Sequence, residues 1–230
     1  MLSRVFASAV VGVEARTIGI EVNVDIGIGY HLVGLPDNAI KESNYRIAAA
    51  LQNNGFKIPG KKITINLFPA DLRKEGSAYD LTLAVGILAA SEQIQSVLPL
   101  ESYMIMGELS LDGSVQPIKG ALPIALNARK RGFSGFILPR TNAQEAAIVE
   151  GLHVYGVNNL EEVVGLLQGK RNVHREAVDL EKTFYQAQDR HDFDFSEVRG
   201  QETIKRCMEV AAAGGHNIIL IGPPGSGKTM

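Results

Sequence analysis

The fold class of the last part of the chain is decided by one stretch, His216-Asn217-Ile218-Ile219-Leu220-Ile221-Gly222-Pro223-Pro224-Gly225-Ser226-Gly227-Lys228-Thr229-Met230. Four consecutive apolar residues, typical of a buried β-strand, lead into the spacing G-x-x-x-x-G-K-T of a Walker A phosphate loop. In such a loop the glycines let backbone N–H groups point at phosphate oxygens, Lys228 reaches the outer phosphates, and the Thr229 hydroxyl ligates Mg²⁺. The stretch therefore predicts a strand followed by a nucleotide-binding loop.

Composition narrows the remaining possibilities. The chain has 230 residues, of which 45% are hydrophobic and 21% charged, as in an ordinary globular protein with one or two cores. Its formal net charge is −2, so any contact with nucleic acid must come from a local basic patch. The single cysteine, Cys207, excludes an internal disulfide and a cysteine-cluster metal site. It fits a reducing compartment, and we expect a cytoplasmic protein with no membrane-spanning segment.

The first 169 residues predict one α/β domain in which strands and helices alternate over short connections. Polar and apolar residues alternate strictly over 21–26 and 62–68, as in half-buried strands. Further strands are predicted at 5–13, 30–35, 103–107, 136–138 and 153–157, with a hairpin at 109–115 that turns at Asp112-Gly113. The predicted helices are 37–54, one that buries Leu81, Val85 and Leu88, 120–130, 143–150 and 160–167.

Two local features refine this picture. Ser77 and Asp80 have the S-x-x-D spacing of a capping box, which predicts that they cap the second helix. Residues 170–192 are rich in charges of both signs and poor in apolar residues, which predicts a solvated linker. A second domain, 193–230, then begins with a helix that ends at Gly214-Gly215, just before the predicted strand of the phosphate loop.

Several motifs occur in an order that resembles the YifB/ComM branch of the magnesium-chelatase-like AAA+ ATPases. They are Val33-Gly34-Leu35-Pro36-Asp37, Asn66-Leu67-Phe68-Pro69-Ala70-Asp71-Leu72-Arg73-Lys74-Glu75-Gly76, Tyr79-Asp80-Leu81, Val198-Arg199-Gly200-Gln201, Ala211-Ala212-Ala213-Gly214-Gly215-His216-Asn217 and the phosphate loop. The resemblance covers essentially the whole chain. It implies an α/β first domain of two-layer α+β type, similar to Lon protease and to ribosomal S5 domain 2. The start of a P-loop AAA+ ATPase domain, incomplete within this chain, would follow.

The resemblance also implies a function. Members are ATP-binding, hexamer-forming proteins, and ComM-type members are motors that promote branch migration of DNA during recombination and natural transformation. By this pattern Val198 and Gly200 lie beside the adenine. The phosphates and Mg²⁺ of ATP are held by Gly222, Pro223, Pro224, Gly225, Ser226, Gly227, Lys228, Thr229 and Met230, with Thr229 as the metal ligand. The Walker B carboxylates and the arginine finger would lie beyond Met230, so the 230 residues alone are not expected to hydrolyse ATP.

Two other functions remain open for a chain of this type. One is an ATP-dependent peptidase, because active Lon-type domains carry a serine in K-D-G-P-S-A-G and a lysine in P-I-G-G-L-K. The corresponding segments here are Lys74-Glu75-Gly76-Ser77-Ala78-Tyr79-Asp80 and Pro117-Ile118-Lys119-Gly120-Ala121-Leu122. These place Ala78 and Leu122 at the two catalytic positions, so no catalytic residue is assigned, although Ser77 with Lys74 or Lys119 is a conceivable substitute. The other is a metal-chelatase subunit that acts on a tetrapyrrole.

Overall fold

A computed structural model of the chain describes residues 1–170, 173–178 and 194–223. The chain divides into two compact units, Met1–Val178 and Asp179–Met230. The first unit extends past residue 169, since Val173 packs against the core and the Glu176 N–H donates to the Val154 carbonyl at 2.9 Å. The predicted linker therefore begins with a segment that lies on the first unit, and its residues 171–172 and 179–192 fall outside the described part.

The secondary structure of the first unit alternates as the sequence predicts. The strands are β1 (Leu2–Val11), β2 (Glu14–Asp25), β3 (Gly29–Val33), β4 (Lys62–Phe68), β5 (Tyr103–Ile105), β6 (Glu108–Leu109), β7 (Val115–Gln116), β8 (Gly135–Pro139) and β9 (His153–Val157). The helices are α1 (Asn38–Asn53), α2 (Asp80–Ala90), α3 (Ala121–Lys130), α4 (Arg140–Ala147) and α5 (Leu160–Leu167), with a 3-10 turn at Leu100–Ser102.

Seven of these strands form one mixed sheet in the order β3-β4-β2-β1-β5-β8-β9, and β6 and β7 form a separate hairpin. In this described sheet only β2 runs against its neighbours β1 and β4, whereas the other pairs are parallel. The carboxyl ends of the other six strands consequently meet at one edge of the sheet. Of the two segments compared with Lon protease, 74–80 follows β4 at this edge and 117–122 follows β7.

The predicted α/β class is confirmed, but the layering is corrected from two layers to three around β1 and β2. On one face, a β-carbon at Gly86 of α2 would lie 2.7 Å from Val22 and 3.3 Å from Val5. On the other face, Asn127 of α3 donates a 2.9 Å hydrogen bond to Thr17. Because successive side chains of a strand point to opposite faces, Thr17 and Val22 of β2 face opposite sides. Helices therefore cover both sides of β2.

Burial follows the predicted periodicity closely. Ile40, Ile47 and Leu51 of α1 are fully buried, as are Leu81, Val85 and Leu88 of α2 and Ile65 and Leu67 of β4. β2 is longer than predicted because its residues 14–23 pair with β1, from Val11↔Glu14 to Leu2↔Asn23. Within its first half only Ile18 and Gly19 are buried, whereas Glu14 and Arg16 are exposed, so buried apolar residues give little sign of a strand there.

The second unit is described over residues 194–223. A 3-10 turn, Phe195–Glu197, is capped by the Asp194 side chain and precedes helix α6 (Glu202–Gly214). The predicted strand before the phosphate loop is wrong for this structure, because residues 216–223 have no regular secondary structure. Ile219 and Ile221 are 83% and 90% exposed. A strand is stabilised by pairing with a neighbour, and the described residues supply no neighbouring strand for this segment.

Among the described residues, no helix is both long enough and apolar enough to cross a membrane.

Candidate functional site

Four of the eleven predicted nucleotide-site residues lie in the described part of the second unit. Val198 is half-buried directly after the 3-10 turn, and Gly200 follows with a φ of +69°. Gln201 is also left-handed, with a φ of +59°, so the chain turns sharply between Val198 and the start of α6. The structure therefore brings Val198 and Gly200 to one turn, where the resemblance expects the adenine contact.

The other end of α6 leads into the predicted phosphate loop. The helix closes with Gly215 at a φ of +63° and with the His216 N–H donating to the Ala211 carbonyl at 2.8 Å. This pattern is a glycine-dependent helix stop. Gly222 and Pro223 then lie in the exposed irregular segment. The remaining site residues, Pro224, Gly225, Ser226, Gly227, Lys228, Thr229 and Met230, lie outside the described residues, so the phosphate loop stays a prediction.

In the first unit, a charged pair joins α1 to α2 beneath the edge where the strands end. Arg46 donates two hydrogen bonds to the Asp80 carboxylate, from Nε at 2.7 Å and from Nη2 at 2.9 Å. The Asp80 side chain is 1% exposed and also accepts the Leu109 N–H at 3.3 Å. A second bond from Nη2 reaches the Ala39 carbonyl at 3.1 Å. This pair fixes two helices and strand β6 relative to one another.

Burial and the ion pair both shift the pKa values of Asp80 and Arg46. Burial raises the pKa of the Asp80 carboxyl, although the Arg46 guanidinium and the Leu109 N–H work against that rise. The hydrogen bonds to Asp80 raise the pKa of Arg46. We take the pair to be charged, because a bidentate contact between guanidinium and carboxylate is the geometry that compensates a buried carboxylate best.

The predicted capping box is wrong. The N-cap of α2 is Tyr79, which makes no side-chain capping bond, and the Asp80 carboxylate is turned to Arg46 instead. The Ser77 hydroxyl donates to a Glu108 carboxylate oxygen. The S-x-x-D spacing gave a wrong prediction because pairing the buried Asp80 carboxylate with a cation stabilises the fold more than a capping hydrogen bond at the helix end would.

Lys74 is a buried cation in the loop after β4. Its side chain is fully buried, and its ammonium donates to the carbonyls of Gly34 at 2.8 Å, Leu67 at 3.2 Å and Pro69. Three acceptors match the three hydrogens of an ammonium group. Burial lowers the pKa of Lys74, while the nearby Asp71 opposes that shift. Lys74 thus anchors the ends of β3 and β4 to the loop that follows.

These contacts bear directly on the peptidase alternative. The Lys74 ammonium bonds to backbone carbonyls, and Ser77 is bonded to a carboxylate. At the position where Lon-type domains carry the nucleophile, the Ala78 carbonyl accepts the Gly107 N–H at 2.8 Å. At the position of the lysine, the Leu122 N–H donates to Glu145 at 2.9 Å. Within the described residues, the Ser77 hydroxyl is therefore paired with an acid and not with a lysine that could act as its base.

Sequence reasoning missed Arg46 and Glu108. The sequence did contain a signal for a buried ion pair. Asp80 begins the mostly apolar helix Asp80–Ala90, and a buried carboxylate requires a cationic partner. Arg46 lies one residue before the core position Ile47, on the side of α1 that meets α2. Only the packing of the two helices shows that these residues meet. Within the described parts of the chain, no group of three or more histidine, cysteine, aspartate or glutamate side chains is placed to hold a metal ion.

Comparison with known families agrees with the sequence motifs. Residues 20–142, more than half of the chain, match the family described as subunit ChlI of Mg-chelatase, and residues 194–230 match the family described as magnesium chelatase, subunit ChlI. The chain belongs to the magnesium-chelatase ChlI family. Within this ChlI family it is 42% identical over 231 residues to the uncharacterised protein YifB of Escherichia coli. It is 38% identical over 230 residues to competence protein ComM of Haemophilus influenzae.

Both alignments take in the whole of this chain, but only 44% of YifB and 45% of ComM. The chain thus spans less than half the length of these relatives. The similarity to Lon protease covers a smaller part of the chain. Lon protease 2 of Bacillus subtilis is 31% identical over 127 residues, which cover 54% of this chain and 22% of that protease. The predicted membership in the YifB/ComM branch of the ChlI family is confirmed, together with the partial likeness to Lon.

Proposed function

We propose that this chain is the N-terminal part of a ComM-type AAA+ motor that binds ATP with Mg²⁺ and acts on branched DNA. The observation that carries the proposal is the phosphate-loop sequence Gly222-Pro223-Pro224-Gly225-Ser226-Gly227-Lys228-Thr229 inside the region that matches the chelatase subunit. Its residue types suit phosphate and Mg²⁺, and Thr229 is the proposed metal ligand. Relatedness to a competence protein along the entire chain favours DNA as the substrate.

The described part of the second unit supports this proposal. The turn at Val198 and Gly200 precedes α6, and the end of α6 leads into the segment that contains Gly222 and Pro223. A helix that links an adenine-side turn to a phosphate loop is the arrangement that the proposal requires. The whole protein would work as a homo-hexamer in the cytoplasm, with ATP and DNA as its partners.

Nucleotide binding is tested with the whole protein by calorimetric titration of ATP in the presence of Mg²⁺. We expect the unchanged protein to bind, and Lys228→Ala to bind at least about tenfold more weakly, because the ammonium to the outer phosphates is lost. Lys119→Ala removes one exposed charge from the first unit and serves as the matched control. Equal affinity of the unchanged protein and Lys228→Ala would refute the nucleotide site.

A metal-chelatase function is the second candidate, since both matched families are described as chelatase subunits. It predicts a dedicated partner subunit and a tetrapyrrole substrate. Isolation of the tagged whole protein from cells distinguishes the two candidates. Recovery with DNA and recombination proteins supports the motor, and recovery with chelatase subunits supports the alternative.

A further inference from the structure

A short loop at the amino end of β4 exposes two isoleucines to an unusual degree. Ile26 and Ile28 are 92% and 93% exposed, although both lie between two ordered strands. Exposed aliphatic side chains of this kind mark interaction sites when they gather at one place. The loop joins β2 to β3, and both strands are fixed in the sheet on its two sides.

Strand pairing determines the shape of this loop. Lys62, the first residue of β4, pairs with Asp25 of β2 on one side and with Gly29 of β3 on the other. The loop 26–28 must therefore pass over the beginning of β4. A β-carbon at Gly27 would lie 3.5 Å from the β-carbon of Lys62. We call this loop the arch. Gly27 has a φ of +121° and Gly29 one of +145°, so the arch depends on glycine at both positions.

Lysines lie beside the arch and along the segment that leads to it. Lys57, Lys61 and Lys62 are exposed, and within the described residues none of the three forms an ion pair. Two carboxylates lie nearby. That of Asp25 accepts the Ile26 N–H at 2.7 Å and so supports the arch itself, whereas Glu92 lies across the adjoining groove. The three lysines outnumber these two acids.

A groove lined by Lys57 and Lys61 lies near the arch along the chain, since Lys61 directly precedes Lys62, beside which Gly27 lies. It has a volume of about 410 Å³ and runs between the segment 57–61 and the turn 90–93. The surface therefore combines a projecting apolar tip, a basic rim and a concave side. Exposed lysines without an ion pair complement a polyanion, and the proposed function makes that polyanion DNA.

We propose that the arch surface, formed by Ile26, Ile28, Lys57, Lys61 and Lys62, is a contact site for the branch point of DNA. The lysines hold backbone phosphates, and the two isoleucines press against base pairs that are already partly unstacked at the branch. Aliphatic wedges of this type insert at base steps in proteins that bend DNA, and the cost of insertion falls where stacking is weak. This inference rests on the proposed action on DNA and supplies the local basic patch that a net charge of −2 requires.

The test measures binding of the 230-residue chain to a fluorescent four-way DNA junction and to linear duplex at several salt concentrations. For the triple variant Lys57→Gln/Lys61→Gln/Lys62→Gln, the slope of log affinity against log salt should fall by about 2.7, since each phosphate contact contributes about 0.9. The matched control, Lys41→Gln/Lys119→Gln/Lys130→Gln, removes three exposed charges elsewhere and should leave the slope unchanged.

The isoleucines are tested separately. Ile26→Ser/Ile28→Ser should keep the salt slope and lose most of an expected preference of about tenfold for the junction over the duplex. Val11→Ser/Val13→Ser alters another exposed apolar tip and should retain that preference. Both side chains of the arch are almost fully exposed, so the serine variants remove no core contact.

Four results would overturn the inference. They are no binding of DNA by the unchanged chain, equal slopes for the two triple variants, an unchanged junction preference after the isoleucine substitutions, and binding to phosphatidylglycerol vesicles in place of DNA. None of them touches the nucleotide site, which is tested on the whole protein with Lys228→Ala. Failure of the arch surface and failure of the proposed function are thus distinguished.

Discussion

Arg46 and Asp80 form a two-point ion pair, with bonds of 2.7 and 2.9 Å, across the contact between α1 and α2. Asp80 also accepts the Leu109 N–H, so the same carboxylate holds the start of β6. β6 carries Glu108, the partner of Ser77. One buried carboxylate therefore ties the segment 74–80, which corresponds to the serine motif of Lon, to α1 and β6.

Removing the Arg46 side chain should destabilise the fold. In Arg46→Met, Asp80 would remain buried without its cation, and we expect the free energy of unfolding to fall by about 3–5 kcal/mol. Chemical denaturation monitored by circular dichroism measures this loss. The double variant Arg46→Met/Asp80→Leu removes both charges and should recover most of the stability. A double variant as unstable as Arg46→Met would contradict the assigned role of the charge.

The burial of Lys74 predicts that the stability of the folded chain depends on pH. Lys74→Met would leave three carbonyls without their donor, and we expect a loss of about 3 kcal/mol at pH 7. The ordinary pKa of lysine is 10.5, and burial lowers that of Lys74 in the folded chain. Between the lowered value and 10.5 the unfolded chain binds more protons than the folded chain, so the contribution of Lys74 to stability rises with pH through this window.

Unfolding free energies of the unchanged chain and of Lys74→Met, measured from pH 7 to 10.5, test this sign. The difference between the two proteins should grow as the pH rises. Lys119→Met, an exposed lysine, is the control and should show no such trend. A difference that shrinks with pH would mean that the three carbonyls favour the ammonium more strongly than burial disfavours it, so that the pKa of Lys74 is raised and not lowered.

The peptidase alternative makes a chemical prediction at Ser77. Its hydroxyl donates to Glu108, and no described lysine is bonded to it, so we expect no reaction with a fluorophosphonate probe. Mass spectrometry of the labelled chain measures this, with Ser77→Ala as the blank. Rapid labelling of Ser77 that is abolished by Lys119→Ala would instead establish a serine and lysine pair and favour the peptidase.

The segment 173–178 offers a further test. Glu176 forms an ion pair with Arg140 at 2.6 Å, and its N–H donates to the edge strand β9. Both side chains are partly exposed, so Glu176→Ala should cost less than about 1 kcal/mol of stability. The effect should be local, with faster hydrogen exchange at the amide of residue 176 and unchanged exchange in β1 and β2. Unchanged exchange at residue 176 would mean that the backbone contact does not depend on the ion pair.

The sequence predicted those parts of the fold in which local pattern and burial agree. The alternation over β4 and the helical spacing of Ile40, Ile47 and Leu51 identified elements whose buried faces the structure confirms. The sequence did not predict features that depend on contacts between residues far apart in the chain. Asp80 turns from the helix end to Arg46, β2 is extended by its pairing with β1, and the apolar run 218–221 has no described strand to pair with.

The same distinction between local pattern and distant contacts applies to the candidate site. The spacing of Gly222 to Thr229 alone predicts a loop that binds phosphate and Mg²⁺, since each residue type has a defined role in such loops. The arch could not be predicted, because Ile26, Ile28 and the lysines come together only through the pairing of Lys62 with two strands. Sequence therefore indicated the nucleotide, and three-dimensional structure was needed to propose where DNA is contacted.

An ATP-driven motor that acts on branched DNA must move a branch point when it is supplied with nucleotide. The decisive experiment is therefore branch migration of a synthetic four-way junction by the whole protein, with ATP and Mg²⁺. We predict that the unchanged protein converts the junction to duplex products only when ATP is present, and that Lys228→Ala does not. Conversion at the same rate without ATP or by Lys228→Ala, or no conversion by a whole protein that binds ATP, would contradict the proposed motor.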